Sequence, residues 1–355
     1  MHKEIGIFAA HYLPHMGGVE NYTYHLSQHL IKHGYRVTVI TSNTDNLSEQ
    51  ECVDNVNILR IPSYNCIHGR YPIMKINQAG KAVRKKVKQL KFDFVIVNSR
   101  FYIHSLYGTA IAKRMQSPCI VIEHGTSHLT VHNAILDTLG GIYEHVLTLL
   151  IKRNCREYYA VSSTAAQWLS HFHIQAKGIL HNAIEMNDID HYNAKPVCNY
   201  RDKYKIKDSA IIITFTGRLV QEKGISALVE AFKMLLKKYG SIYLMIAGDG
   251  ELQEELSKQA NDHIILLGRL SFAEVISLLK TSNIFCLPSD SEGFSTSILE
   301  AGACSNYIVA TNTGGIHEIL LDEDYGVILK SNGVSDIYEG LNRVLKNPKH
   351  ISRGS

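Results

Sequence analysis

Short apolar runs alternate with helical patterns along almost the whole chain. That alternation restricts it to parallel sheets covered by helices. In the first half, strand-like runs fall at Ile5–Ala9, Arg36–Thr41, Phe94–Asn98, Cys119–Glu123 and Tyr158–Val161. A second series falls at Ile211–Thr216, Ile242–Ala247, His263–Leu267, Ile284–Leu287 and Tyr307–Ala310. Helices are expected from Gly18 to His33, closed by Gly34, and from Ile225 to Lys238. Between the two series lies a polar stretch, Met186 to Asp208, which reads as an irregular connection. A length of 355 residues suits two domains, expected at 1–187 and 188–355. In open parallel sheets, ligands bind at the carboxyl edge of the strands.

Bulk properties narrow the function. Seven scattered cysteines have neither disulfide nor zinc spacing, which suits reduced thiols and a cytoplasmic protein. No apolar run approaches the ~20 residues that span a bilayer. The start, Met1 to Ile5, leads straight into a strand-like run, so no signal peptide is expected. Residues 1–187 hold 19 Lys+Arg against 12 Asp+Glu, and residues 188–355 hold 18 against 21. The first half is therefore basic by seven charges, too modest an excess to point to nucleic acid. Several of those charges lie in Ile76–Lys91, where Lys81, Arg84, Lys85, Lys86, Lys88 and Lys91 surround an expected apolar stripe of Ile76, Val83, Val87 and Leu90. This reads either as a solvated helix face or as a patch for an anionic membrane surface.

The chemistry gathers at strand ends. Glu292 and Glu300 lie eight apart in Pro288-Ser289-Asp290-Ser291-Glu292-Gly293-Phe294-Ser295-Thr296-Ser297-Ile298-Leu299-Glu300-Ala301. Glu292 is expected in a loop after the strand Ile284–Leu287, and Glu300 within a helix capped by Ser295 or Thr296. Two acceptors beside free helix amides suit a ligand with hydroxyls and a phosphate, such as a nucleotide-sugar. In Thr216-Gly217-Arg218-Leu219-Val220-Gln221-Glu222-Lys223-Gly224, Arg218 and Lys223 offer two cations for a diphosphate. Pro14-His15-Met16-Gly17-Gly18-Val19-Glu20 joins the first strand to the first helix, and paired glycines let backbone approach a ligand or simply make a turn. His124 follows the strand Cys119–Ile122. None of the nineteen histidines shows clean metal-ligand spacing, although His128 and His132 could share a helix face.

The Glu292-x7-Glu300 segment resembles the motif of retaining, family 4 glycosyltransferases with the GT-B fold. Gly17-Gly18-Val19-Glu20, Thr216-Gly217-Arg218-Leu219 with Glu222-Lys223-Gly224, Ala247-Gly248-Asp249-Gly250 and Gly268-Arg269 fit the same family in order. The resemblance runs from about residue 5 to about residue 345. It implies an α/β chain of two Rossmann-like, doubly wound domains facing a cleft, with the acceptor on the N-terminal side and the donor on the C-terminal side. It places Arg218 and Lys223 on the donor diphosphate, Glu292 on the transferred sugar and Glu300 on the ribose. It puts Gly17, Gly18, Gly217, Gly293 and the amides of Phe294, Ser295 and Thr296 around the phosphates and sugar, Arg269 near the base, His124 on the transferred sugar, and Glu318 as a weaker donor contact. It implies no cofactor and no metal, the co-substrate being a nucleoside-diphosphate sugar, with UDP the first expectation.

The implied partner is a glycan or lipid-linked glycan, in assembly of a cell-surface polysaccharide, with the enzyme cytoplasmic or at the inner face of the membrane. The alternative is a non-catalytic GT-B subunit that binds glycan or a partner glycosyltransferase. Two other rivals are weaker. A nucleotide-binding oxidoreductase would want a third glycine where Gln253 stands, and a sugar-nucleotide epimerase lacks the x7 spacing. Two features depart from the family: no arginine after Gly18 reads as an acceptor-phosphate ligand, and the helices expected beyond Leu341–Leu345 are not accounted for before Ser355.

Overall fold

A computed structural model describes residues 3–15, 17–67, 69–130 and 133–347; Met16 of the glycine loop and His132 lie outside the described residues. The chain divides into two compact units, Met1–His181 and Asn182–Ser355.

In the first unit the elements run β1 (Glu4–Ala9), α1 (Gly18–Lys32), β2 (Arg36–Asn43), β3 (Gln50–Val53), β4 (Val56–Cys66), β5 (Tyr71–Met74), α2 (Gln78–Gln89), β6 (Phe94–Asn98), α3 (Ile103–Met115), β7 (Cys119–Glu123), α4 (Ala134–Lys152), β8 (Tyr158–Ala160), α5 (Ser163–Ser170) and β9 (Gly178–Ile179). The sheet order is β3-β4-β2-β1-β6-β7-β8-β9, with β5 on β4. All pairings are parallel except those of β3 and β5 with β4. Ile7, Val39, Ile58, Val95, Val97 and Val121 are fully buried, as expected for strands covered on both faces.

The second unit continues with α6 (Met186–Ala194), α7 (Tyr200–Lys203), β10 (Ile211–Thr216), a 3-10 turn (Gln221–Lys223), α8 (Ile225–Tyr239), β11 (Ile242–Ala247), α9 (Gln253–Ser257), β12 (Ile264–Gly268), α10 (Phe272–Thr281), β13 (Ile284–Leu287), α11 (Thr296–Ala303), β14 (Tyr307–Thr311), α12 (Ile316–Ile319), β15 (Gly326–Leu329) and α13 (Val334–Leu345). Its strands pair in the order β12-β11-β10-β13-β14-β15, all parallel. One sheet face packs Phe215, Leu228, Phe232 and Phe285. The other packs Ile212, Met245 and Leu278. Each such side chain contributes roughly 1.5–3 kcal/mol on burial.

Three expectations need correction. The stretch Met186–Asp208 is not an irregular connection: it lies within the second unit, which begins at Asn182 rather than at the expected 188, and it carries α6 and α7 with Ile189, Tyr200 and Ile206 buried. Sparse apolar residues hide in a polar segment, yet a few are enough to pin two short helices. In α2, Val83 and Val87 are buried, but Ile76 precedes the Asn77 cap and is 79% exposed. Finally, α4 is 19 residues long with mean hydropathy 1.4, enough by length and composition to cross a membrane, although only 22% of it is buried. Asp137, Glu144 and two glycines interrupt its apolar run and mask it in the sequence.

Candidate functional site

In the second unit the strand order reverses between β10 and β13, which are neighbours although β11 and β12 intervene in sequence. Loops leaving two adjacent strands in opposite directions open a crevice at their carboxyl ends. Lys223, in the turn after β10, and Glu292, in the loop after β13, meet there. Lys223 Nζ lies 2.5 Å from Glu292 Oε1, with side chains 21% and 14% exposed. The two loops interlock through backbone. The Asp290 amide donates to the Glu222 carbonyl at 2.8 Å. Gly224, at φ +67°, has no room for a Cβ, which would stand 2.1 Å from the Pro288 carbonyl oxygen. Gly314, at φ +56°, is pressed the same way against the Glu292 carbonyl. Glu292 is therefore held in place by the paths of three loops.

The remaining expected donor residues surround this pair unevenly. Gly217 follows β10, and its amide donates to the Ala247 carbonyl at 3.0 Å. Arg218 is exposed and makes no ion pair among the described residues. Gly293 accepts at its carbonyl from the Gly315 amide at 3.1 Å, and the Phe294 carbonyl accepts from Asn182 Nδ2 at 2.6 Å. Ser295 is the N-cap residue of α11, but its side chain does not cap. Its Oγ lies 3.0 Å from Ser297 Oγ, which leaves the first-turn amides of Thr296 and its successors for an anion. Glu300 is half-buried on α11, and burial pushes its carboxyl up to about 7. Glu318 sits half-buried on α12. Arg269 lies exposed at the end of β12, beyond β11 from the crevice.

The first unit reverses its strand order between β1 and β6. Gly17 caps α1 in extended conformation, and a Cβ on it would stand 2.5 Å from Glu20 Oε2, whereas Gly18 faces open space. Burial pushes the Glu20 carboxyl up, but His15, 3.4 Å away, together with the Glu20 backbone amide and His11 outweighs it and holds the group below the usual carboxylate range. His124 is buried after β7, its Nε2 3.4 Å from Asn98 Oδ1 and its ring edge-on to Tyr22 at 4.8 Å. Burial drives its pKa down to about 4, so the imidazole is neutral at pH 7. Asn98 Nδ2 in turn donates to Thr23 Oγ1 at 2.7 Å.

Behind His124 lies a buried charge network that no motif announced. Glu123 Oε1 accepts from the amides of His124 and Gly125 at 3.0 and 2.9 Å. Glu123 Oε2 is 2.7 Å from Arg100 Nε, and Arg100 Nη2 is 2.7 Å from Glu144 Oε1. Arg100 is fully buried, with its guanidinium 3.5 Å above the Phe172 ring. Burial keeps the Glu123 carboxyl above its usual range despite Arg100. The three charges come from the loop after β6, from the end of β7 and from α4, so only the folded unit brings them together.

Comparison with known proteins matches both units. The family model described as Glycosyltransferase Family 4 matches residues 16–187. The model described as Glycosyl transferases group 1 matches residues 198–353. An uncharacterized glycosyltransferase of Methanocaldococcus jannaschii is 27% identical over 354 residues, covering 96% of this chain and 89% of the relative. One component of the human phosphatidylinositol N-acetylglucosaminyltransferase is 25% identical, covering 94% of this chain but 66% of the relative. Among solved structures, Anabaena HepE in complex with UDP-glucose superposes with TM-score 0.73 at 15% identity, over 99% of this chain and 92% of that one. The two consecutive matches, the ordered motifs and the two parallel α/β units agree, and the chain belongs to the family 4 glycosyltransferases of GT-B fold.

Proposed function

We propose that the chain is a retaining glycosyltransferase that moves a sugar from a UDP-sugar to a glycan or lipid-linked glycan at the cytoplasmic face of an anionic membrane, in assembly of a cell-surface polysaccharide. The observation that carries the transfer reading is the Lys223–Glu292 pair at the β10–β13 reversal, beside the uncapped start of α11. Lys223 and Arg218 neutralise the departing diphosphate with the α11 amides, and no divalent cation is needed there. Glu300 accepts from the ribose hydroxyls. Glu292 accepts from the transferred sugar, and neutral His124 hydrogen-bonds to it. Catalysis is then positioning and electrostatics, with the acceptor proton passing to the leaving phosphate. UDP as the carrier is supported by the likeness to HepE, which binds UDP-glucose. A lipid-linked acceptor is supported by the likeness to the phosphatidylinositol N-acetylglucosaminyltransferase component.

The membrane part rests on two helices. On α4, Ile135, Leu136, Leu139, Ile142, Val146 and Leu149 are exposed, opposite the face that buries Glu144, Leu147, Thr148 and Ile151. On α2, Lys81, Lys85, Lys86 and Lys88 are exposed. An apolar stripe and a basic stripe on one unit suit anionic lipid headgroups over acyl chains. Two measurements test the proposal. UDP-, GDP- and ADP-sugars are screened for thermal stabilisation and for release of the nucleoside diphosphate in EDTA. A UDP-sugar is expected to score in both, with an α-linked product from an α-donor by proton NMR. A β-linked product, or release that requires added manganese, would overturn the retaining, metal-free reading. Flotation with vesicles is expected to need anionic lipid, and equal binding to neutral vesicles would sink the membrane part.

A further inference from the structure

His128, His145 and His171 come from the loop after β7, from α4 and from the end of α5, and one ring nitrogen of each lies within 4.8 Å of the other two. His145 Nε2 and His171 Nε2 are 3.1 Å apart. We propose that these three imidazoles bind a borderline transition-metal ion, Zn²⁺ first, at a site separate from the sugar-transfer chemistry. Four-coordinate zinc holds imidazole nitrogens at about 2.0–2.1 Å, which sets tetrahedral neighbours about 3.4 Å apart. The His145–His171 spacing already matches that. The remaining spacing, up to 4.8 Å, is closed by movement of the His128 ring on the ion.

Two further features fit a ligand set better than a chance cluster. His128 Nδ1 is bonded to Glu144, a carboxylate that is itself buried and paired with Arg100, so Nε2 is the nitrogen left for the metal. A carboxylate behind a ligating histidine fixes the tautomer and raises the ligand's basicity. The rings are also oriented by aromatic walls. Trp168 stacks on His171 at 4.9 Å and 7°, and stands edge-on to His128 at 4.9 Å. Phe172 lies 4.6 Å from His145. His145 and His171 are exposed, so a fourth position is open to water. Three nitrogen donors without a carboxylate in the first sphere favour zinc, copper or nickel over magnesium, calcium or manganese. Such an ion would tie α4 and α5 to the loop that begins at His124. That loop is reached through the chain Glu144–Arg100–Glu123.

The test uses the untagged chain, stripped with EDTA and dialysed, titrated calorimetrically with Zn²⁺ and separately with Mg²⁺ and Mn²⁺. One equivalent of Zn²⁺ is expected to bind with micromolar or tighter affinity and to raise the melting temperature. His145→Ala and His171→Ala are each expected to weaken binding at least tenfold. Both positions are exposed, so folding is expected to survive. Co²⁺ loaded into the unmodified chain is expected to show tetrahedral d–d absorption without a thiolate charge-transfer band. Zinc affinity unchanged in both variants, a Co²⁺ spectrum dominated by thiolate, or no stoichiometric zinc binding would each overturn the site. Equal binding of Mg²⁺ or Mn²⁺ would overturn the proposed donor chemistry.

Discussion

The two units reverse strand order at corresponding places, β1 with β6 and β10 with β13, yet the side chains placed there differ in kind. In the second unit the reversal carries an ion pair that water still reaches, Lys223 with Glu292, beside a helix start its own cap residue leaves open. In the first unit it carries groups held dry. There Asn98 is locked to Thr23, neutral His124 follows the neighbouring β7, Glu20 is buried against His15, and the charges behind them are sealed in the Arg100 network. One topology therefore supports two electrostatic regimes. A partly solvated pair can exchange a protein partner for a phosphate more readily than a fully buried one. A buried charge set cannot exchange partners and serves to fix geometry.

The largest test of that contrast is Arg100→Ala. Removing the cation leaves Glu123 and Glu144 facing each other without it, and the expected loss is about 3–5 kcal/mol of stability. Chemical denaturation measures it. A loss under about 1 kcal/mol would mean the network is as loosely held as the pair at the other reversal. Next is Lys223→Ala, expected to lower turnover by roughly 10²–10³ while lowering the melting temperature less than Arg100→Ala does. Near-normal turnover with intact fold would strip the second unit's pair of its role.

His124→Ala sharpens the comparison further. Turnover is expected to fall roughly 10–100-fold, since a hydrogen bond to the reacting sugar is lost, while calorimetric affinity for the free nucleoside diphosphate stays within about twofold. The reverse outcome, lost nucleotide affinity with normal turnover, would end the division of labour between the units.

The smallest expected effect concerns Glu300. Its carboxyl titrates at about 7 in the folded chain because burial disfavours the charge. Unfolded, such a group titrates at about 4.3. Its contribution to stability is thus fully present below about pH 4 and is lost as pH rises through 7. Ribose hydroxyls favour the ionised form, so affinity for an intact nucleotide-sugar is expected to rise about tenfold between pH 6 and 8. In Glu300→Gln that dependence should vanish, and a retained slope would assign the titration to another group.

Much of this was legible in the sequence because it is local. The runs Phe94–Asn98, Ile211–Thr216, Ile242–Ala247 and Ile284–Leu287 are strands with the same ends as expected, since buried parallel strands leave unbroken apolar runs. The glycines, Lys223 and Glu292 could be singled out one by one. Their meeting could not, because the contact joins positions 69 apart and depends on strand order. The strand β4 and the small antiparallel strands β3 and β5 on it were missed: Arg60 and Pro62 break the apolar run of β4, β3 is a mixed polar edge strand without clean alternation, and β5 carries a proline. So was β15, a four-residue strand. Arg100 and Glu144 are ordinary charged residues until the loop after β6 packs against α4. The histidines were read by helix spacing, His128 with His132, whereas the fold joins His128 to His145 and His171 from other elements.

The Arg100 network also bears on how the first unit opens. Its members are spread over the loop after β6, β7 and α4, and Glu123 additionally holds two amides of the loop after β7. None of these charges tolerates desolvation without the others. Peeling α4 away therefore unpairs Arg100, and freeing the loop amides unpairs Glu123. Hydrogen exchange should consequently find α4 and the His124 and Gly125 amides sharing one opening free energy, a single cooperative unit rather than a fraying surface helix beside a mobile loop.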